Sequence, residues 1–205
     1  GARRVRQARA YREGLVEVQD AASQAVCAAL PVGPGDRVLD YCAGGGGKAL
    51  ALVARGARLL AHDADPGRMA DLPARAARAK TDVQVVETEA LSDLAPVDMA
   101  LADVPCSGSG AWRRQVEAKW RLDAATLAEL QRRQAAILER AAERVRPGGA
   151  LAYVTCSLLR AENEDALAAF RAAHPGWRLE TERRWSPLAG GDGFYLALMR
   201  ESGGS

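Results

Sequence analysis

Two cysteines in this chain are placed where thiols can do chemistry. Asp103-Val104-Pro105-Cys106-Ser107-Gly108 follows one short apolar run, and Thr155-Cys156-Ser157 follows another. A thiolate is a strong nucleophile, and two thiols facing one pocket can divide a covalent reaction into attack and release. Methylation of a pyrimidine at carbon 5 is a reaction of that kind, because carbon 5 is a poor nucleophile. Thiolate addition at carbon 6 makes carbon 5 enamine-like and able to attack a methyl sulfonium. The carbon 5 proton then leaves and the thiol is eliminated. Asp103 can donate or share a proton at the ring as charge develops. The plain alternative is that each cysteine is a small buried hydrophobe. For one cysteine that alternative wins, but two at strand ends beside a ligand loop favour a reactive pair.

The ligand loop is Gly44-Gly45-Gly46-Gly47, between the apolar run Arg37–Cys42 and a helical stretch from Lys48. Glycines allow close backbone approach, and a helix amino terminus offers free amide groups. Asp63 ends the next strand and can accept hydrogen bonds from ribose hydroxyls. The spacing is not a dinucleotide fingerprint, and Lys48 is not followed by the Ser or Thr of a P-loop. A loop headed by Asp40 suits S-adenosylmethionine, which carries an amino acid and a nucleoside but no phosphate.

The elements that must position these residues alternate between strand and helix. Strands are predicted at 37–42, 59–62, 83–86, 97–102 and 150–155, with final strands at 177–181 and 194–199. Helices are predicted at 15–30, 48–55, 66–80, 124–145 and 163–173, with Pro147-Gly148-Gly149 stopping the long one. The pattern argues for an α/β fold with a doubly wound, mostly parallel sheet and helices on both faces. Ligands in such sheets bind beyond the carboxyl ends of the strands, where Asp40–Lys48, Asp63, Asp103–Cys106 and Cys156 all fall.

Composition sets the bounds. The 205 residues, 48% of them hydrophobic, fit one globular domain. We read 1–17 as a basic lead segment, 18–200 as the catalytic domain and 201–205 as a disordered tail. No apolar run is long enough to span a bilayer, and a soluble cytoplasmic protein is expected. The four cysteines form no C-x-x-C pair and there are two histidines, so neither a metal site nor a disulfide framework is expected. Net charge is only +2, but residues 1–12 hold Arg3, Arg4, Arg6, Arg9 and Arg12 without an acid. Such a block holds phosphates or forms a solvated tail.

Taken together, these motifs resemble the NOL1/NOP2/Sun family of RNA 5-methylcytosine methyltransferases, and within it the bacterial ribosomal RNA members. The residues that carry the likeness run from Val18-Gln19-Asp20-Ala21-Ala22-Ser23-Gln24 to Asp192-Gly193-Phe194. Between them lie Asp40-Tyr41-Cys42-Ala43 with Gly46-Gly47-Lys48, the 103–108 segment, Trp112-Arg113-Arg114, Lys119-Trp120, Arg146-Pro147-Gly148-Gly149, Thr155-Cys156-Ser157 and Glu162-Asn163-Glu164. The resemblance implies a Rossmann-like class I fold using S-adenosylmethionine. It implies Cys156 as the nucleophile and Cys106 as the thiol that assists release. It also implies that Cys42, Ala43, Gly44, Gly45, Gly46, Gly47, Lys48, Asp63 and Asp103 line the cofactor and target-base site. The family has proline where Gly45 stands and often threonine where Ala49 stands, so a looser loop is expected. Its adenine-contacting acid on the third strand corresponds to Glu87 or Glu89. Family members carry a separate RNA-binding domain, and none is legible in this chain.

RNA is the expected partner, ribosomal RNA ahead of transfer RNA, with Arg3, Arg4, Arg113 and Arg114 on phosphates. Bases can stack on the rings of Trp112 and Trp120, although tryptophans pinning the loop to the core is the slightly favoured reading. His62 and His174 read as structural, and Glu162 and Glu164 as acids suited to a helix start. Two other function classes remain compatible. One is a methyltransferase acting on another substrate, against which the paired cysteines argue. The other is a non-catalytic module that binds cofactor or RNA.

Overall fold

The computed structural model describes residues 5–202. Its centre is a seven-stranded sheet of β1 (Arg37–Asp40), β2 (Arg58–Ala61), β3 (Val83–Val85), β4 (Val97–Asp103), β5 (Val145–Thr155), β6 (Trp177–Trp185) and β7 (Phe194–Glu201). The strand order is β3-β2-β1-β4-β5-β7-β6. The first five strands pair in parallel, and β7 enters antiparallel between β5 and β6. The order reverses between β1 and β4, the point where ligands sit in doubly wound sheets.

The helices are α1 (Arg9–Arg12), α2 (Ala21–Ala29), α3 (Gly47–Val53), α4 (Leu72–Arg78), α5 (Ala118–Arg121), α6 (Ala124–Ala142) and α7 (Glu164–Ala173). Strands buried on both faces read as continuous apolar runs, and β4 and β5 show why. Leu151 and Tyr153 join one core with Leu138 of α6 and Phe170 of α7. Ala150, Ala152 and Val154 join another with Val26 of α2 and Leu52 of α3.

Three sequence-based boundaries shift, each for a local reason. The helix predicted at 15–30 begins only at Ala21, where the Asp20 carboxylate accepts the amides of Ala22 and Ser23. The helix predicted at 66–80 splits into a 3-10 turn at Pro66–Met69 and α4. Pro73 has no N–H to return to the preceding turn, so one continuous helix cannot form. The helix predicted to reach Val145 ends at Ala142, ahead of Pro147-Gly148-Gly149. That triplet instead lies inside β5, where the pairing with β4 shifts between Val97 and Met99. At the carboxyl end β7 continues to Glu201, and the Ser202 amide donates to the Gly176 carbonyl. Residues 203–205 lie outside the described residues.

Behind the site two backbones cross with no room for a side chain. The Gly193 amide donates to the Gly110 carbonyl, and the Gly110 amide donates to the Cys156 carbonyl, both at 2.9 Å. A methyl group on Gly110 would lie 2.2 Å from the Gly193 carbonyl oxygen. Relief needs a backbone shift, so Gly110→Ala is expected to destabilise the protein by about 2–4 kcal/mol. Chemical denaturation checks this, and a change below about 0.5 kcal/mol contradicts the close crossing.

Candidate active site

The two thiols meet. Asp103, the last residue of β4, stands opposite Val154 of β5, so both chains leave the sheet at one level. Cys106 Sγ then lies 3.4 Å from Cys156 Sγ. The pair is electrostatically unequal. The contact with Cys106 holds Cys156 below its ordinary value, with Lys48 assisting and burial and Asp103 opposing. Cys106 is pushed well above its ordinary value by the same contact, by burial and by the charge of its neighbour. These directions favour ionisation at Cys156 over Cys106.

Lys48 and Asp103 stand beside them. Lys48 Nζ is 2.5 Å from Asp103 Oδ2 and 4.9 Å from the centroid of the Phe194 ring. Burial alone would draw the Lys48 ammonium down, but the charge and hydrogen bond of Asp103 outweigh it. A cleft of about 360 Å³ opens beside Cys156, Lys48 and Asp103, while Cys106 is not part of its lining. The cleft is lined by Cys42, Ala43, Gly44, Gly45, Gly47, Lys48, Asp103 and Cys156 from the expected set, with Phe194 and Asp192 at its side.

Two expected cofactor residues are not on the cleft wall. Gly46 turns away at φ +78°, against Leu72 of α4. Asp63, 4% exposed, accepts the amides of Gly44 and Asp65 at 3.0 Å and pairs with Arg68. It braces the loop from beneath, while Arg68 is the group on the cleft wall. Glu87 and Glu89 are exposed and absent from the lining.

Asp40 was legible as the head of the loop, but not its state. It is 1% exposed, and neither carboxylate oxygen has a hydrogen-bond partner. Burial, then the nearby charge of Asp103, push its carboxyl up to about 7. An orphaned acid beside a glycine loop fits a ligand that brings a cation or hydrogen-bond donors.

The basic loop is held more tightly than its composition suggests. Arg113 and Arg114 both pair with Asp192, whose side chain is 3% exposed, while the two arginine side chains are half exposed. Asp192 is tied in turn to the helix cap, its amide donating to Asp20. The expectation that the tryptophans pin the loop fails for Trp120. It is 78% exposed, with Lys119 Nζ 4.6 Å from its ring centroid. Arg3 and Arg4 lie outside the described residues. His62 is buried, its ring nitrogens at the Tyr41 carbonyl and the Thr88 hydroxyl, and His174 pairs with Glu139. Among the described residues no group of three His, Cys, Asp or Glu could hold a metal, and no helix is long and apolar enough to cross a membrane.

Glu162, which reads from sequence as part of the Glu162-Asn163-Glu164 motif and as an acid suited to a helix start, is a further functional candidate. It is fully buried and accepts from the Ser107 amide at 2.8 Å, the hydroxyls of Ser107 and Ser157 at 2.5 Å, and Gln134 Nε2 at 2.9 Å. The one signal available was its place beside Asn163, itself buried and bonded to Thr155 and Ser157.

The state of Asp40 has a measurable consequence. An unfolded aspartate ionises near 3.8 and this folded one near 7. Stability attributable to Asp40 is therefore whole below about pH 4, falls as pH rises to about 7, and stays low above it. Asp40→Asn removes that loss and is expected to stabilise the protein by roughly 2–4 kcal/mol at pH 8, with little effect at pH 4. Melting curves across that range read the difference, and a variant less stable than wild type at pH 8 would mean that Asp40 has a partner.

Comparison with known proteins places the whole arrangement. A family model described as 16S rRNA methyltransferase RsmB/F matches residues 27–199. A putative methyltransferase of Mycobacterium tuberculosis is 40% identical over 192 residues, covering 89% of this chain and 42% of that protein. Ribosomal RNA small subunit methyltransferase B of Klebsiella pneumoniae is 36% identical over 204 residues, covering 92% of this chain and 47% of that protein. The chain thus spans less than half the length of these relatives. In fold, it matches the crystal structure of NSun6 from Pyrococcus horikoshii with a TM-score of 0.83 at 24% identity, over 97% of this chain and 56% of that one. With a doubly wound sheet, a glycine loop at its switch point and a family match across most of its length, the chain belongs to the 16S rRNA methyltransferase RsmB/F family.

Proposed function

We propose that this chain methylates carbon 5 of a cytosine in RNA, with ribosomal RNA as the preferred substrate, through a covalent bond from Cys156 to carbon 6. The observation that carries the reading is the 3.4 Å approach of two unequal thiols beside the Lys48–Asp103 pair. S-adenosylmethionine, the cofactor of this methyltransferase class, supplies the methyl group when bound. The cleft-lining loop from Cys42 to Lys48, with Asp40 behind it, is the part of the chain that would hold it.

The chain's own residues account for the remaining chemistry. The Cys156 thiolate forms a bond to carbon 6, and the electron pair of the 5,6 double bond moves into the ring, leaving carbon 5 nucleophilic. The hydrogen-bonded Lys48–Asp103 pair meets the ring where that charge collects and would supply the proton that neutralises it. After methylation carbon 5 gives its proton to a water molecule of the open cleft, the electron pair of that bond restores the 5,6 double bond, and the sulfur–carbon bond breaks. Cys106, still carrying its proton, is placed to protonate the departing Cys156 sulfur. The target base must leave its stack to enter such a cleft. Arg114 on the cleft wall and Arg113 beside it would meet RNA phosphates by exchanging Asp192 for them.

The two cysteines should therefore fail differently. Cys156→Ala should form no adduct and no methylcytosine. Cys106→Ala should attack and methylate, then release slowly, accumulating a denaturant-resistant protein–RNA complex that needs both cofactor and a target cytosine. Denaturing gels read both results. Normal methylation by Cys156→Ala rejects the nucleophile, and wild-type turnover by Cys106→Ala without trapping rejects the release role.

A further inference from the structure

Glu162 touches neither thiol, yet it is bonded to the residue that follows each of them. Its Oε1 accepts the Ser107 amide and Gln134 Nε2, and its Oε2 accepts the hydroxyls of Ser107 and Ser157. Ser107 follows Cys106 and Ser157 follows Cys156. One carboxylate thus bridges the two loops that carry the reactive pair. The surroundings tighten the bridge. Gln134 also donates to the Pro105 carbonyl, Tyr153 donates to the Glu162 carbonyl, and Asn163 Nδ2 donates to the Ser157 carbonyl.

Four donors converge on the two carboxylate oxygens, an arrangement that suits the side chain as an acceptor. All four donors are neutral. The charge is solvated by dipoles and cancelled by no ion pair, so its field extends to its neighbours through a low-dielectric interior. Two of the four donors, the amide and the hydroxyl of Ser107, come from the residue after Cys106, against one from the residue after Cys156. The contact with Cys156, then burial and the charge of Cys156, push the Cys106 thiol up, and the charge of Glu162 adds to them.

We propose that Glu162 is the positioning residue that decides which thiol is the nucleophile. It fixes the spacing of the two cysteine loops, and its charge keeps Cys106 protonated so that Cys106 donates to Cys156. This rests on the reading of Cys156 as nucleophile, and it adds the group that enforces the difference between two otherwise similar thiols. A merely structural bond would secure the spacing without choosing between the sulfurs.

The test needs neither RNA nor cofactor. Iodoacetamide alkylation across pH, with each cysteine mapped by mass spectrometry, gives a pH midpoint for Cys106 and for Cys156. In wild type the Cys156 midpoint should lie below that of Cys106. Glu162→Gln keeps the shape and removes the charge, and should narrow the gap by about one pH unit, a tenfold change in relative thiolate population. Glu162→Asp, which keeps the charge, should restore part of the gap. An unchanged gap in folded Glu162→Gln overturns the proposal and leaves the nucleophile standing. A wild-type midpoint lower for Cys106 overturns the nucleophile itself, and the proposal with it. If Glu162→Gln does not fold, Ser107→Ala carries the test. It removes one neutral donor but keeps the acid, its charge and the Ser107 amide bond, so the gap should hold. A gap that narrows in that folded variant, as charge removal would narrow it, overturns the proposal.

Discussion

The parallel register between β4 and β5 is the constraint on which the site depends. Asp103 stands opposite Val154, and each chain then needs only a few residues to bring its cysteine to the same point. A slip of one residue would turn every side chain of a strand to the other face. Here it is opposed by shape and by bonding. Tyr153 fills one face and donates to the Glu162 carbonyl, while the small Ala152 and branched Val154 meet the opposite core. Exchanging those faces would bury a tyrosine hydroxyl among aliphatic groups without an acceptor, which costs on the order of 1–3 kcal/mol before any steric clash. The sheet therefore holds the two thiols together through contacts that lie behind them.

Two buried acids in this frame are treated in opposite ways. Glu162 has four donors and no reason to move. Asp40 has similar burial and no partner for either oxygen. Unpaired buried carboxylates are costly, and such costs are tolerated where a ligand relieves them. The thiol side of the site is thus rigid and satisfied in the protein alone, whereas the glycine-loop side is left unsatisfied. That division suits a catalyst whose nucleophile must be placed before substrate arrives and whose cofactor must bind and leave in every cycle.

Much of this was legible in the sequence because strand ends are. The apolar runs at 37–42, 97–102 and 150–155 mark the central strands, and the doubly wound reading puts both cysteines and the glycine loop at one edge. Local punctuation was less readable. Pro66 reads as a helix start, but Pro73, seven residues later, breaks that helix. What sequence could not show was partnership across long separations. Asp192 and the arginines at 113 and 114 are distant in the chain, so the arginines read as free cations for RNA rather than as the jaws of an ion-pair cluster. Glu162 read as a helix-opening acid because its four donors come from three other segments, two of which carry the cysteines.

The glycine loop shows how a local weakness can be offset at a distance. Glycine in place of the family's proline at position 45 gives the unfolded chain more freedom to lose and the folded loop less intrinsic stiffness. The loop nevertheless has an external brace at each of three consecutive residues. The Gly44 amide is held by Asp63, the Gly45 carbonyl accepts from Arg75, and Gly46 packs against Leu72. Arg75 is itself aligned by Glu17, which also holds Arg78, and Arg78 stacks on Tyr11 at 4.0 Å. The amino-terminal segment thereby reaches the cofactor loop through one helix. A charge-assisted bond to a backbone carbonyl can be made and broken, as a proline ring cannot, so stiffness here comes from a contact that the segment before α2 controls. The lead segment, which reads from sequence as a phosphate-holding block or a solvated tail, is thus tied through Glu17 to the helix that braces the glycine loop.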